Sequence, residues 1–170
     1  MNGVFRRVVV PVEFEAAEPG EIALGRAVEV GDHGWVTVGP YTIRALDLAA
    51  RLARGGEVFI VHATRDFMDN AGWLSPARIA ELDGDASRDS TTVLEAIVGR
   101  HCADVTVRYL VAPGKALDLI LGAARTHAAD AIVLAASARH RVNRAILGST
   151  ADKVIRQSSC PVVVVPSGTA

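Results

Sequence analysis

Apolar runs rich in β-branched residues recur along the chain: Val8, Val9, Val10 and Val12, then Val58 to Val61, Val105 to Val111, Ala131 to Leu134, and Val162 to Val165. Runs that are apolar at successive positions, with no alternation, fit strands covered by helices on both faces. The segments between them carry apolar residues at three- and four-residue spacing: Ile43, Leu46, Ala50 and Ala53; Val93, Ile97 and Val98; Leu117, Ile120, Leu121 and Ala124; Ala151, Val154 and Ile155. Each set predicts a helix with one apolar stripe turned to a sheet. Strand alternating with helix gives an α/β class, an open, doubly wound, five-stranded parallel sheet. Gly55-Gly56 ends the first of these helices, because glycine takes the left-handed cap without a Cβ clash. The polar stretch from Thr64 to Ser90 reads as a connection, with a helix start at Ser75-Pro76.

One stretch breaks the β-helix-β pattern. Between the first strand and the first helix lies an insertion, residues 16–39, where connections in such units usually take about 2–6 residues. Inside it, Ala27 to Val30 and Trp35 to Val38 flank Gly31-Asp32-His33-Gly34, which predicts a β-hairpin. The insertion leaves from the carboxyl end of the first strand. Trp35 in this hairpin either forms part of a lid or partner surface, or packs on the domain's own edge.

Composition narrows the picture. A chain of 170 residues suits one domain, residues 1–170, and half of its residues are hydrophobic. A formal net charge of −1 gives no bulk attraction to nucleic acid. The apolar run near the start is cut by Glu13 and Glu15, so it neither spans a bilayer nor serves as a signal peptide; a cytoplasmic location without membrane association is expected. Cys102 and Cys160 stand far apart without metal-ligand spacing, and His62, His101 and His127 fall on different elements, so both sets read as structural side chains. Catalytic signatures are weak. Ser149 lacks the Gly-x-Ser-x-Gly elbow, Gly114-Lys115 lacks the rest of a phosphate loop, and Glu13 and Glu15 have no accompanying nucleophile.

In open α/β sheets ligands bind beyond the carboxyl ends of the strands, where the strand order reverses. With an order of 3-2-1-4-5 the crevice lies between the first and fourth strands, walled by Pro11 to Glu15 and by Ala135 to Thr150. The second wall ends in Gly148-Ser149-Thr150 opening a helix, where free amides favour an anion. Arg139, His140, Arg141 and Arg144 make the preceding loop basic, either to hold an anion through side chains or simply as solvated charge.

Four segments carry a family likeness: VVVPVEFE, VFIVHA, GKALDLILGAARTHAADAIVLAAS and NRAILGSTADKVIRQSSCPVVVVP. On these the chain resembles the universal stress protein family over nearly its whole length outside the insertion. That resemblance implies a flavodoxin-like or Rossmann-like domain, dimerisation through the last strand, and a role in stress adaptation without a catalytic reaction. It also implies an adenine-nucleotide site, ATP or AMP, built on Gly-x-x-Gly-x9-Gly-Ser/Thr. The first two glycine places of that pattern fall on Ala135 and Ala138, while Gly148, Ser149 and Thr150 keep the rest. By the same likeness Pro11 and Glu13 face the nucleoside, with Glu13 standing where the family has aspartate, and Ala63 takes the adenine-side position. Two further features bear on this reading. The valine edge Val162, Val163, Val164 and Val165 is an aggregation hazard unless covered, which independently favours a homodimer. The site residues Pro11, Glu13, Ala63, Ala135, Ala138, Arg139, Arg141, Gly148, Ser149 and Thr150 then form a degenerate nucleotide or anion site, with no metal. The alternatives are a ligand-free interaction scaffold with an exposed apolar hairpin face, and a weak nucleotide phosphohydrolase for which Glu13 is the sole candidate carboxylate.

Overall fold

The computed structural model describes residues 4–68, 73–136 and 148–166. Eight strands and five helices follow one another as β1 (Arg7–Pro11), β2 (Glu15–Ala16), α1 (Pro19–Ala23), β3 (Ala27–Glu29), β4 (Trp35–Thr37), α2 (Pro40–Leu52), β5 (Glu57–Thr64), α3 (Pro76–Val98), β6 (Thr106–Pro113), α4 (Ala116–Thr126), β7 (Ala131–Ala135), α5 (Ser149–Gln157) and β8 (Val162–Val165). The large sheet has the order β6-β5-β1-β7-β8, and every pairing in it is parallel. Numbered by the five core strands alone this is 3-2-1-4-5, the order expected of the fold class.

Alternation along the strands divides the interior into two layers. Val8, Val10, Val58, Ile60 and Val133 meet α2 and α3 through Ala45, Leu46, Ala49, Val93, Leu94, Ile97 and Val98. Val9, Phe59, Val61, Ile132 and Leu134 meet α4 and α5 through Ile120, Leu121, Ala124, Ala151 and Val154. Fully buried side chains such as Leu46, Ile60, Leu94, Ile120 and Ile132 each contribute about 2 kcal/mol by leaving water.

The helix phases differ in detail from the periodic reading. In α2 the fully buried residues are Ala45, Leu46 and Ala49, followed by Ala53, whereas Ile43 and Ala50 lie at the margin of the stripe. In α5 Ile155 is exposed and Ala151 and Val154 alone reach the core. The larger correction concerns the supposed connection from Thr64 to Ser90. Thr64 closes β5, and from Pro76 onward the segment is the first half of α3. Ser75 caps this helix, its Oγ accepting from the Arg78 amide at 3.3 Å, and Pro76 supplies the preset first-turn φ. Ion pairs Arg78–Glu81 and Asp85–Arg88 at three-residue spacing support its polar outer face.

The insertion contains the predicted hairpin, with Val28 opposite Val36 and a 3-10 turn at Gly31–His33. It holds more than that. β2 pairs antiparallel with β4, so β4 is the centre of a three-stranded sheet of order β2-β4-β3, and α1 covers its approach. Val30, Val36 and Val38 are buried in the same cluster as Val12 and Leu46, so the small sheet extends the core. Trp35, at 40% exposure, and Leu24 are the large apolar side chains it leaves in solvent.

Candidate functional site

The two central strands part company at their carboxyl ends. β1 pairs with β5 as far as Pro11 opposite Val61, and the Val12 amide donates to the Val61 carbonyl at 2.9 Å. On the other side β7 stays paired with β8 as far as Ala135 opposite Val165. Between β1 and β7, however, the register stops at Val9 opposite Ile132. The gap beyond that point is the crevice expected where the strand order reverses.

Pro11 and Ala63 lie two and four residues beyond Val9 and Phe59, so strand alternation turns them to the α4 and α5 layer. Ala135 falls in the opposite layer, packed beside Val133 and Val165. It sits in regular strand, and the positive-φ residue other than glycine among those described is Ala128, so alanine at 135 introduces no backbone strain. Gly148 is the N-cap of α5, with Ser149 and Thr150 exposed in its first turn. Glu13 is exposed just past β1, while Glu15 enters β2 opposite Thr37 and belongs to the small sheet. Ala138, Arg139, His140, Arg141 and Arg144 lie outside the described residues.

Several groups at this end were not singled out by sequence reasoning. His62 Nδ1 is 2.8 Å from the Val12 carbonyl, which can only accept, so Nδ1 carries a proton and donates. Phe14 stacks on the same ring at 4.7 Å, tying the end of β1 to β5. Thr64 is buried, yet its hydroxyl has no hydrogen-bond partner, and the same holds for Asp83 Oδ1 on α3. The signal for Thr64 was the continuing alternation of β5; Asp83 was hidden because its helix was not recognised.

Two other described histidines are engaged within the fold. His127 stacks on Phe59 at 4.4 Å, and His101 bonds Asp47 at 2.9 Å. Cys102 is buried, and burial, reinforced by Asp47, pushes its thiol up to about 11. Among the described residues no three His, Cys, Asp or Glu side chains gather as a metal site, and no helix is long and apolar enough to cross a membrane. Two cavities of about 440 and 450 Å³ open at the opposite, amino-terminal end of the sheet. Their charged walls are largely paired internally, as in Asp47 with His101 and Arg54 with Asp104.

Comparison with known proteins places this architecture. No curated protein sequence matches the chain significantly. Among solved structures, the hypothetical protein MJ0577, solved as a test of assigning biochemical function from structure, is similar at 16% identity, a TM-score of 0.67, and coverage of 98% of this chain and 99% of that one. A universal stress protein from Archaeoglobus fulgidus is similar at 20% identity and a TM-score of 0.54, covering 95% and 94%. A universal stress protein solved in complex with cAMP is similar at 17% identity and a TM-score of 0.51, covering 98% and 100%. These likenesses concern the fold. The sequence model of the universal stress protein family matches residues 5–166, and the chain therefore belongs to the universal stress protein family.

Proposed function

We propose that the chain is a single-domain, cytoplasmic, non-enzymatic stress-response protein, dimeric in solution, whose crevice binds an adenine nucleotide, ATP or AMP. The observation that carries this reading is the parting of β1 from β7 after Val9 and Ile132, beside the amide-rich start of α5 at Gly148. Pro11 and Glu13 then border the nucleoside, Ala63 the base, and Ala135, Gly148, Ser149 and Thr150 the phosphates, with Ala138, Arg139 and Arg141 on the same loop. The extended backbone at Ala135 supports the reading, because the glycine of the family pattern is not required there for its conformation. A cAMP complex within the family adds support from a relative. The buried valines of the insertion weigh against a scaffold built on an apolar hairpin face.

Dimerisation rests on β8, the sheet edge, where Val162, Val163 and Val164 are half-buried in the isolated chain. Titration calorimetry of the intact protein with ATP and with AMP at low salt tests the ligand, and sedimentation of the same samples tests the dimer. Heat of binding that weakens as salt rises is the expected result; no heat with either nucleotide ends the ligand reading, and a monomer ends the dimer reading.

A further inference from the structure

The two cavities at the amino-terminal end of the sheet differ in charge. In the first, Arg6 and Arg7 face Glu57 and Asp130, and both acids are taken: Asp130 accepts from the Arg6 and Arg7 amides, and Glu57 from Arg108. The second, of about 450 Å³, lies between the end of α2 and the turn that leads from α3 into β6. Arg51, Arg54, Arg100 and His101 line it against two acids, Asp47 and Asp104. Three guanidinium groups facing two carboxylates leave this wall with a positive excess.

Pairing inside the second cavity stops short of the arginines. Asp47 is occupied twice, its carboxylate by His101 Nδ1 at 2.9 Å and its carbonyl by Arg51 Nε at 3.2 Å. The second bond pins the Arg51 side chain to its own helix, while its two terminal nitrogens have no partner among the described residues. Arg54 reaches Asp104 at 3.6 Å between two exposed side chains, too long for a good hydrogen bond and worth little as an ion pair in water. The Arg100 side chain has no partner among the described residues. Helix carboxyl ends repel anions through their free carbonyls, but several of these carbonyls are engaged here. Ala49 accepts from the Ala53 amide, Ala53 from Gly56, Leu52 from Phe5, and Val98 from His101 and Cys102.

We propose that this cavity binds a phosphate-type oxyanion, held between Arg51 of α2 and Arg100 of the α3–β6 turn, with Arg54 exchanging Asp104 for the ligand. A guanidinium offers a planar fork of donors and no acceptor, and a single carboxylate fills one such fork. A tetrahedral oxyanion has acceptor oxygens for several forks at once, and its charge offsets the arginine excess. The volume lies within the range of about 300–1,000 Å³ typical of small-molecule sites, which suits pyrophosphate or a small phosphate ester and not a polymer. This site is separate from the crevice at the other end of the sheet and does not rest on the nucleotide reading.

The test is calorimetry of the intact protein at low salt with sodium pyrophosphate, inorganic phosphate and ribose 5-phosphate, and with AMP as the control for the crevice. The wild type is compared with Arg51→Ala and Arg100→Ala, both at exposed positions, with folding of each checked by circular dichroism. Pyrophosphate is expected to bind once per chain, and each substitution to weaken it by roughly tenfold or more while leaving AMP binding unchanged. Tighter binding of ribose 5-phosphate than of inorganic phosphate supports the site as one for a phosphate ester, and the reverse order supports it as one for the free anion. No heat with any of the three phosphate probes overturns the proposal. So does pyrophosphate affinity that neither folded variant alters, because the anion then sits elsewhere. Loss of AMP heat with pyrophosphate binding intact brings down the nucleotide reading and leaves this site standing.

Discussion

At the amino-terminal end of the sheet, strand starts are bound to one another by groups that leave little unsatisfied. Asp130 accepts from the amides of Arg6 and Arg7 at 2.8 Å each, and its own amide donates to the Arg7 carbonyl at 2.8 Å, joining β1 to β7. Glu57 bonds Arg108 at 3.0 Å and lies 3.9 Å from Arg7, which joins β5 to both neighbours. At the carboxyl end the same two strands, β1 and β7, separate, and Thr64 and Asp83 bury oxygens with no partner. One end spends its polar groups on holding the sheet together; the other keeps them available. This contrast predicts that substitutions at the two ends differ in sign as well as in size.

The largest effect is expected at Gly56. A Cβ there would run into the carbonyl oxygen of Arg6 and lie 3.0 Å from its carbonyl carbon and Cα, all backbone atoms that cannot swing aside. The close approach lets the Glu57 amide reach the Arg6 carbonyl at 2.8 Å. Gly56→Ala should destabilise by about 3 kcal/mol, lowering the melting temperature by about 6–12 °C. A shift within 2 °C, read by thermal denaturation, would mean the amino end is looser than its hydrogen bonds imply.

Next in size is a pH effect at the same end. The Cys102 thiol has an ordinary value of 9.0, and burial, with Asp47 second, raises it to about 11 in the fold. The folded state therefore holds this proton more tightly than the unfolded chain. Its contribution is fully present below pH 9 and is lost as pH rises toward 11, amounting to about 2–3 kcal/mol. Tyr109, raised by burial and then by Glu95, acts in the same direction. Urea unfolding at pH 8, 9.5 and 10.5 should show the fall, and Cys102→Ala should flatten most of it while leaving the Tyr109 share.

The same contrast explains what could be read from the sequence. The five core strands were legible because Val8 to Val10, Val58 to Val61 and Val162 to Val165 are apolar at consecutive positions, a pattern that a strand buried on both faces requires, whereas their order came from the fold class. The hairpin was legible from Gly31-Asp32-His33-Gly34, but β2 and α1 were not, since two and five residues are too few to show a period. The first half of α3 was missed for a more instructive reason. Periodicity detects helices by their apolar stripe, and between Ile79 and Val93 this helix buries no residue. The reading failed where a helix carries few buried apolar residues, and Asp83, with its unsatisfied Oδ1, lies in that stretch. Of the site, Pro11, Glu13 and the Gly148 turn could be proposed from motif likeness, whereas the Phe14–His62 stack and the unpartnered Thr64 hydroxyl depend on contacts that no sequence period shows.

The smallest effect gives the sharpest form of the comparison, because it uses one substitution at two places. Thr37 and Thr64 are both buried strand threonines, at 3% and 8% exposure. The Thr37 hydroxyl donates to the Arg26 carbonyl at 3.3 Å, while the Thr64 hydroxyl has no partner. Valine keeps the shape of threonine and suits a strand equally well, so the hydroxyl is the main difference. At Thr37 the change removes a buried hydroxyl's hydrogen bond to the Arg26 carbonyl and should destabilise by about 1 kcal/mol. At Thr64 it removes a group already deprived of water, and the nucleotide-free protein should become more stable by about 1 kcal/mol. Urea unfolding of both variants without nucleotide reads the two signs. If Thr64→Val destabilises as Thr37→Val does, the Thr64 hydroxyl is satisfied within the protein, and the end of β5 is then as fully bonded as the small sheet.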